Sequence, residues 1–193
     1  DSHVATWLVL DATASMADPS HSVKGLDKMW FARTLLACLA SIAQRQGDAF
    51  GLLVLSDGKV QFTPALRGPR QFQRVLAQLS RAVPSGALPP DELLRSSLHF
   101  ARSPSLIFAA GDFLEFPSPL SDALVRLRHM QHDVRVVGLQ TQAEADASFD
   151  ASRAYRDPEH AGTVYRFDAE AQAQYRQRRE AHFDTVAAAW KKH

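Results

Sequence analysis

Residues 8–20 read LVLDATASMADPS, an apolar run that ends on an aspartate and passes directly into side chains bearing oxygen. Extended upstream, ATWLVLD (5–11) lacks the apolar/polar alternation of a half-exposed strand. It predicts a central strand of a parallel sheet, covered on both faces. Open α/β sheets bind ligands outside the carboxyl ends of their parallel strands. Asp11, Thr13 and Ser15 alternate along the loop that leaves this end, so a carboxylate and two hydroxyls can share one space.

The remainder of the chain alternates strands and helices. DKMWFARTLLACLASIAQRQG (27–47) predicts a long helix with Asp27 as its N-cap and Gly47 as its stop. AFGLLVLS (49–56) is a second buried strand, and Asp57-Gly58 is a favoured hairpin pair leading into an antiparallel edge strand. Helices are expected over 69–83, 90–103 and 119–131, strands over 105–112 and 133–140, a hairpin around 155–168 and a closing helix from 169 to about 191. PSGALPP (84–90) is a loop. The fold class is therefore α/β: one domain over residues 1–193, in three layers, with a mostly parallel central sheet and one antiparallel edge strand.

Composition narrows the function. A net charge of +1 gives no field favouring nucleic acid or an anionic membrane, and a protein partner is compatible with it. No apolar stretch approaches the roughly 18 residues of a membrane span, and no signal peptide opens the chain. The single cysteine, Cys38, excludes an intrachain disulfide and leans toward a reducing, cytoplasmic setting. Within its Ala/Leu-rich pattern Cys38 is expected to be a buried small hydrophobe. The first strand starts by about Val4, consistent with a domain cut from a longer, even membrane-anchored, parent.

The strand SLIFAAGD (105–112) also ends on a carboxylate, Asp112, which the fold can bring to the same rim as Asp11. Such hard oxygen donors suit Mg²⁺, or Mn²⁺, and few direct carboxylates leave the ion positive enough to attract an acidic side chain from another protein. Taken singly, Thr13 and Ser15 also serve as turn caps and Asp112 as a turn residue. His129 and His132 stand at i and i+3 with no third ligand apparent, and Asp18 is expected to be a surface carboxylate.

Asp11-x-Thr13-x-Ser15 resembles the Asp-x-Ser-x-Ser signature of the metal-ion-dependent adhesion site in von Willebrand factor type A domains. LDKMWFARTLLACLASIAQRQGDAFGLLVLSD (26–57) and YRDPEHAGTVYRFDAEAQAQYRQRREAHF (155–183) further resemble the bacterial family 58 of domains of unknown function, whose fold is type A-like and Rossmann-like. The resemblance implies Thr13 and Ser15 as direct ligands, Asp11 bound directly or through water, and Asp112 as the third-loop aspartate. The threonine usual in the second loop is missing; Ser85 and Asp91, the oxygen-bearing residues there, are the candidates for additional metal-shell positions, the alternatives being a water in the threonine's place or a degenerate site that binds no metal. It also implies a non-enzymatic interaction module, associated with a MoxR-type AAA+ ATPase in protein maturation or remodelling.

One rival belongs to another class. Haloacid-dehalogenase-like phosphotransferases also place a nucleophilic aspartate after the first strand, which would make Asp11 the nucleophile, with Ser56 and Asp112 in supporting motifs. Their phosphate-stabilising lysine is not found between Val60 and Asp112, and Lys59 lies in the hairpin. No nucleophile elbow, Walker loop, dinucleotide fingerprint or zinc-protease helix is present. At the C-terminus, Tyr175, Arg179, His182, Val186 and Trp190 form a helical stripe expected to pack on the domain itself.

Overall fold

The computed structural model describes residues 4–17, 28–98, 104–112, 118–139, 154–156 and 164–166. Every residue of β1 (Thr6–Asp11) is buried, as its unbroken apolar run requires. It lies at the middle of a five-stranded sheet of order β3-β2-β1-β4-β5. The other strands are β2 (Phe50–Ser56), β3 (Lys59–Leu66), β4 (Leu106–Gly111) and β5 (Asp133–Gly138). β1 pairs in parallel with β2 on one side and β4 on the other, β4 pairs in parallel with β5, and β3 runs antiparallel at the edge beside β2. The expected sheet is therefore the observed one. A separate antiparallel pair joins β6 (Ala154–Arg156) to β7 (Val164–Arg166), within the hairpin expected around 155–168.

Period-2 alternation sends β1 side chains to two cores. Leu8 and Leu10 meet α1 (Lys28–Arg45) and α2 (Pro69–Arg81) through Ala32, Leu36, Ala40, Val75 and Leu79. Trp7 and Val9 meet α3 (Asp91–Ser97) and α4 (Pro119–His129) through Leu94, Leu120, Leu124 and Leu127. Each fully buried leucine contributes about 1.5–3 kcal/mol of transfer free energy, so both faces of the sheet must be covered.

Local chemistry closes the elements where the sequence places its punctuation. Gly47, at φ 74°, ends α1: its N–H donates to the Gln44 carbonyl at 3.0 Å and the Asp48 N–H to that of Ala43 at 3.0 Å, a Schellman motif. Asp57 and Gly58, at φ 52° and 70°, form the two-residue hairpin turn. Pro69 starts α2, and Ser118 and Ser121 cap α4 reciprocally.

Cys38 departs from expectation. It is exposed, because it lies two residues beyond buried Leu36 and so on nearly the opposite side of α1. The helix expected over 90–103 is described over Asp91–Ser97. Expectations for Asp18, the Asp27 cap and the C-terminal helix lie outside the described residues.

His129 and His132 do not share a helical face, since α4 ends at His129. The His132 ring is buried and its Nδ1 accepts the Ser105 N–H at 3.0 Å, tying the entry of β4 to that of β5. Burial holds the imidazole pKa below its ordinary value, so the neutral ring is the folded form. Between the folded and unfolded pKa values the unfolded chain binds more protons. This contribution is complete above the ordinary histidine value of about 6.5 and is lost as pH falls through the lowered one. The urea midpoint is expected to drop between about pH 7 and pH 5, and His132→Asn, which keeps an acceptor without titrating, should flatten that portion of the profile. A steeper loss in the variant would contradict the assignment.

Gly51 pairs with Trp7 across the β1–β2 register, and a Cβ there would meet the Trp7 ring at 2.5 Å and the Thr63 carbonyl oxygen at 2.8 Å. Gly51→Ala is accordingly expected to destabilise the domain by about 1–3 kcal/mol in urea unfolding.

Candidate functional site

The chain order places a switch point between β1 and β4. From β1 the chain proceeds to β2 and β3 on one side, then crosses to β4 and β5 on the other. In open α/β sheets such a switch point, outside the carboxyl ends of β1 and β4 here, is where ligands bind. Asp11 ends one strand and Asp112 immediately follows the other.

Ala12 and Met16 are fully buried and anchor the loop after β1, which enters a 3-10 turn over Ala14–Ala17. Between these anchors Thr13 and Ser15 are themselves buried. Asp11 Oδ1 accepts two hydrogen bonds from Thr13, from the N–H at 3.0 Å and from the hydroxyl at 2.7 Å. Thr13 Oγ1 and Ser15 Oγ lie 3.4 Å apart. A hydroxyl whose proton is committed to a carboxylate has only lone pairs to offer other groups, which is the state a hard cation requires. The donor set therefore fits a divalent ion of the Mg²⁺ type.

Gly111 holds the two strand ends together. A Cβ at this position would lie 2.6 Å from Asp11 Cβ and 2.9 Å from Asp11 Oδ2, so the missing side chain is what admits the carboxylate beside β4. Asp112 is the next residue and is buried.

The second loop approaches through its backbone. Ser85 N–H donates to the Ala12 carbonyl at 3.0 Å, its own carbonyl accepts from Asp57 N–H at 2.7 Å, and Ala14 N–H donates to the Gly86 carbonyl at 2.8 Å. The loop thus laces the β1 loop to the β2–β3 hairpin, with Ser85 half-buried beside the cluster. Asp91 is placed differently from the expectation of a metal-shell role. It stands exposed in the first turn of α3, where its carboxylate pairs with Arg95 at 2.8 Å and Arg126 at 3.7 Å. An acidic residue in that turn is held by the helix N-terminus and the i+4 arginine.

One residue of the site escaped the motif. Lys28 Nζ lies 3.1 Å from Asp112 Oδ2, with the two side chains only 2% and 3% exposed. Burying an ammonium and a carboxylate costs several kcal/mol for each ion, which only close pairing offsets. The available signal was periodicity: Lys28 heads the buried stripe Ala32, Leu36, Ala40 at intervals of four residues. A lysine in the first turn also opposes the helix dipole, so tertiary structure must supply its compensation.

A model of the family described as a protein of unknown function, DUF58, matches residues 1–188. The chain belongs to the DUF58 family. No curated protein matches it at a significant level. Among the solved structures similar to it, two match over most of both chains. One is the conserved hypothetical protein BatB from Bacteroides thetaiotaomicron, at 16% identity and a TM-score of 0.55, covering 91% of this chain and 86% of that one. The other is an aerotolerance-related membrane protein from Bacteroides fragilis, at 13% identity and a TM-score of 0.54, covering 90% and 87%. This DUF58 chain therefore has the von Willebrand type A-like, Rossmann-like α/β fold. Among the described residues no helix is long and apolar enough to cross a membrane.

Gly111→Ala is expected to push the Asp11 carboxylate away from β4 and destabilise the DUF58 domain by about 1–3 kcal/mol. Gly138, its register partner on β5, has open space around a Cβ and serves as the control. Gly138→Ala should stay within about 0.5 kcal/mol in urea unfolding. Equal effects at both positions would refute the close-approach role of Gly111.

Proposed function

We propose that this DUF58 chain is a non-enzymatic protein-interaction module that binds an acidic side chain of its partner at the carboxyl edge of the sheet. Thr13 and Ser15 would hold Mg²⁺, or Mn²⁺, directly, with Asp11 and Asp112 bound directly or through water. When bound, the ion supplies a Lewis-acidic position for a partner's carboxylate. The observation that carries this reading is the Thr13 hydroxyl pinned to Asp11 Oδ1 at 2.7 Å, with the Ser15 hydroxyl beside it.

The residues divide the work. Asp11 orients the Thr13 hydroxyl, buried Ala12 and Met16 keep the loop rigid, and the Ser85 backbone braces it from the second loop. Preformed geometry of this kind lowers the ordering cost of binding. The family resemblance supports a MoxR-type AAA+ ATPase as the working partner, in maturation or remodelling of other proteins. An exposed free thiol at Cys38 accords with a reducing, cytoplasmic setting, and a membrane-associated parent protein accords with the description of the Bacteroides fragilis neighbour.

A phosphotransferase reading gains one observation, since Lys28 places a lysine at Asp112 where the interval from Val60 onward has none. Asp11 is nevertheless engaged by Thr13 through two hydrogen bonds, and family and fold both favour the interaction reading. Incubation with p-nitrophenyl phosphate and Mg²⁺ should release no p-nitrophenol.

The decisive experiment is calorimetric titration of the chelator-stripped domain with Mg²⁺ and Mn²⁺ beside Asp11→Ala. Saturable binding is expected in the native chain and none in the variant. The variant should remain folded, losing about 1–2 kcal/mol with its Thr13 hydrogen bonds. Binding that survives Asp11→Ala would defeat the adhesion-site mechanism.

A further inference from the structure

We propose that Lys28 is a tethered cation that competes with a divalent ion for Asp112, so that the site is closed by an ammonium until an ion displaces it. The inference rests on the metal-site reading above and adds its regulation. Its ground is the buried Lys28–Asp112 pair, which joins residues 84 positions apart in the chain.

Three features converge on this role. The pair is sealed from water, so Lys28 is not a surface lysine resting on a convenient acid. A lysine normally extends its stem and leaves the ammonium in solvent; here the whole side chain heads the buried stripe of α1, flanked by core residues Met29 and Ala32. The partner carboxylate belongs to the site itself, because Asp112 follows Gly111, the residue against which Asp11 Oδ2 rests.

The electrostatic consequence is direct. Two buried carboxylates at neighbouring strand ends repel one another unless a positive charge stands between or beside them. Lys28 neutralises one of them and permits the site to fold without an ion. The same ammonium lowers the affinity of any ion that arrives, first because Asp112 is already engaged and second because a fixed positive charge stands at the rim. Lys28 is therefore a positioning residue whose role is to make metal loading weak and reversible. A partner's carboxylate then adds to a site that would otherwise release its ion, which couples loading to partner binding.

The test compares the chelator-stripped native domain with Lys28→Met and Lys28→Arg by calorimetric titration with Mg²⁺ and Mn²⁺. Lys28→Met, similar in length but uncharged, is expected to bind either ion about tenfold more tightly than the native chain, while Lys28→Arg stays within about threefold of it. In the native chain labelled with ¹⁵N-lysine, the Lys28 Nζ resonance should be visible through slow proton exchange without metal and should be lost as ion is added. If native and Lys28→Met bind alike, the metal site stands and the competition is wrong. If neither native nor variant binds, the metal reading fails and the competition falls with it. Should Lys28→Met fail to fold, an Nζ resonance unchanged at saturating Mn²⁺ or Mg²⁺ overturns the proposal on the native chain alone.

Discussion

The enclosure of β1 between two parallel neighbours governs the whole molecule. A strand with no face toward water needs apolar cover on both sides, and its backbone groups need partners along both edges. β2 and β4 supply the edges, α1 with α2 and α3 with α4 supply the faces. Because β4 joins on the side opposite β2, the chain must reverse its direction of growth at β1. That reversal sets the carboxyl ends of β1 and β4 side by side, the place where open α/β sheets bind ligands and where the polar cluster stands.

The cluster occupies the end of an otherwise apolar core and brings an electrostatic cost with it. Asp11, Thr13, Ser15, Lys28 and Asp112 are all buried. Hydrophobic residues of similar volume would often stabilise such a place as well or better, so buried charge here is weak evidence of a stabilising role. The arrangement makes sense as a prepared polar surface. The Thr13 hydroxyl is oriented by Asp11, the strand ends are brought close by Gly111, and α1 delivers an ammonium to Asp112. Each group is thereby compensated before any partner arrives.

Much of the architecture was legible because its signals are local. ATWLVLD announced a doubly covered strand, Asp57-Gly58 a tight hairpin and Gly47 a helix stop, and each acts where its chemistry places it. Cys38 and Asp91 show where local signals fail. The composition around Cys38 suggested burial, whereas the angle from Leu36 around α1 turns it to solvent. Asp91 lies in the right loop for a metal shell, yet its position in the first turn of α3 directs it to Arg95 and Arg126. Ser85 is joined to the β1 loop and to the β2–β3 hairpin through its backbone.

By itself, then, the sequence determined the class of fold, the central strand and the Asp11-Thr13-Ser15 alternation, since these follow from side-chain period and from neighbours a few residues apart. Only the tertiary structure decided that Asp112 receives Lys28 and that Gly111 makes room for Asp11. Those outcomes depend on contacts between segments separated by tens of residues, whose distances are set by sheet order and helix packing. No short stretch of the chain contains that information.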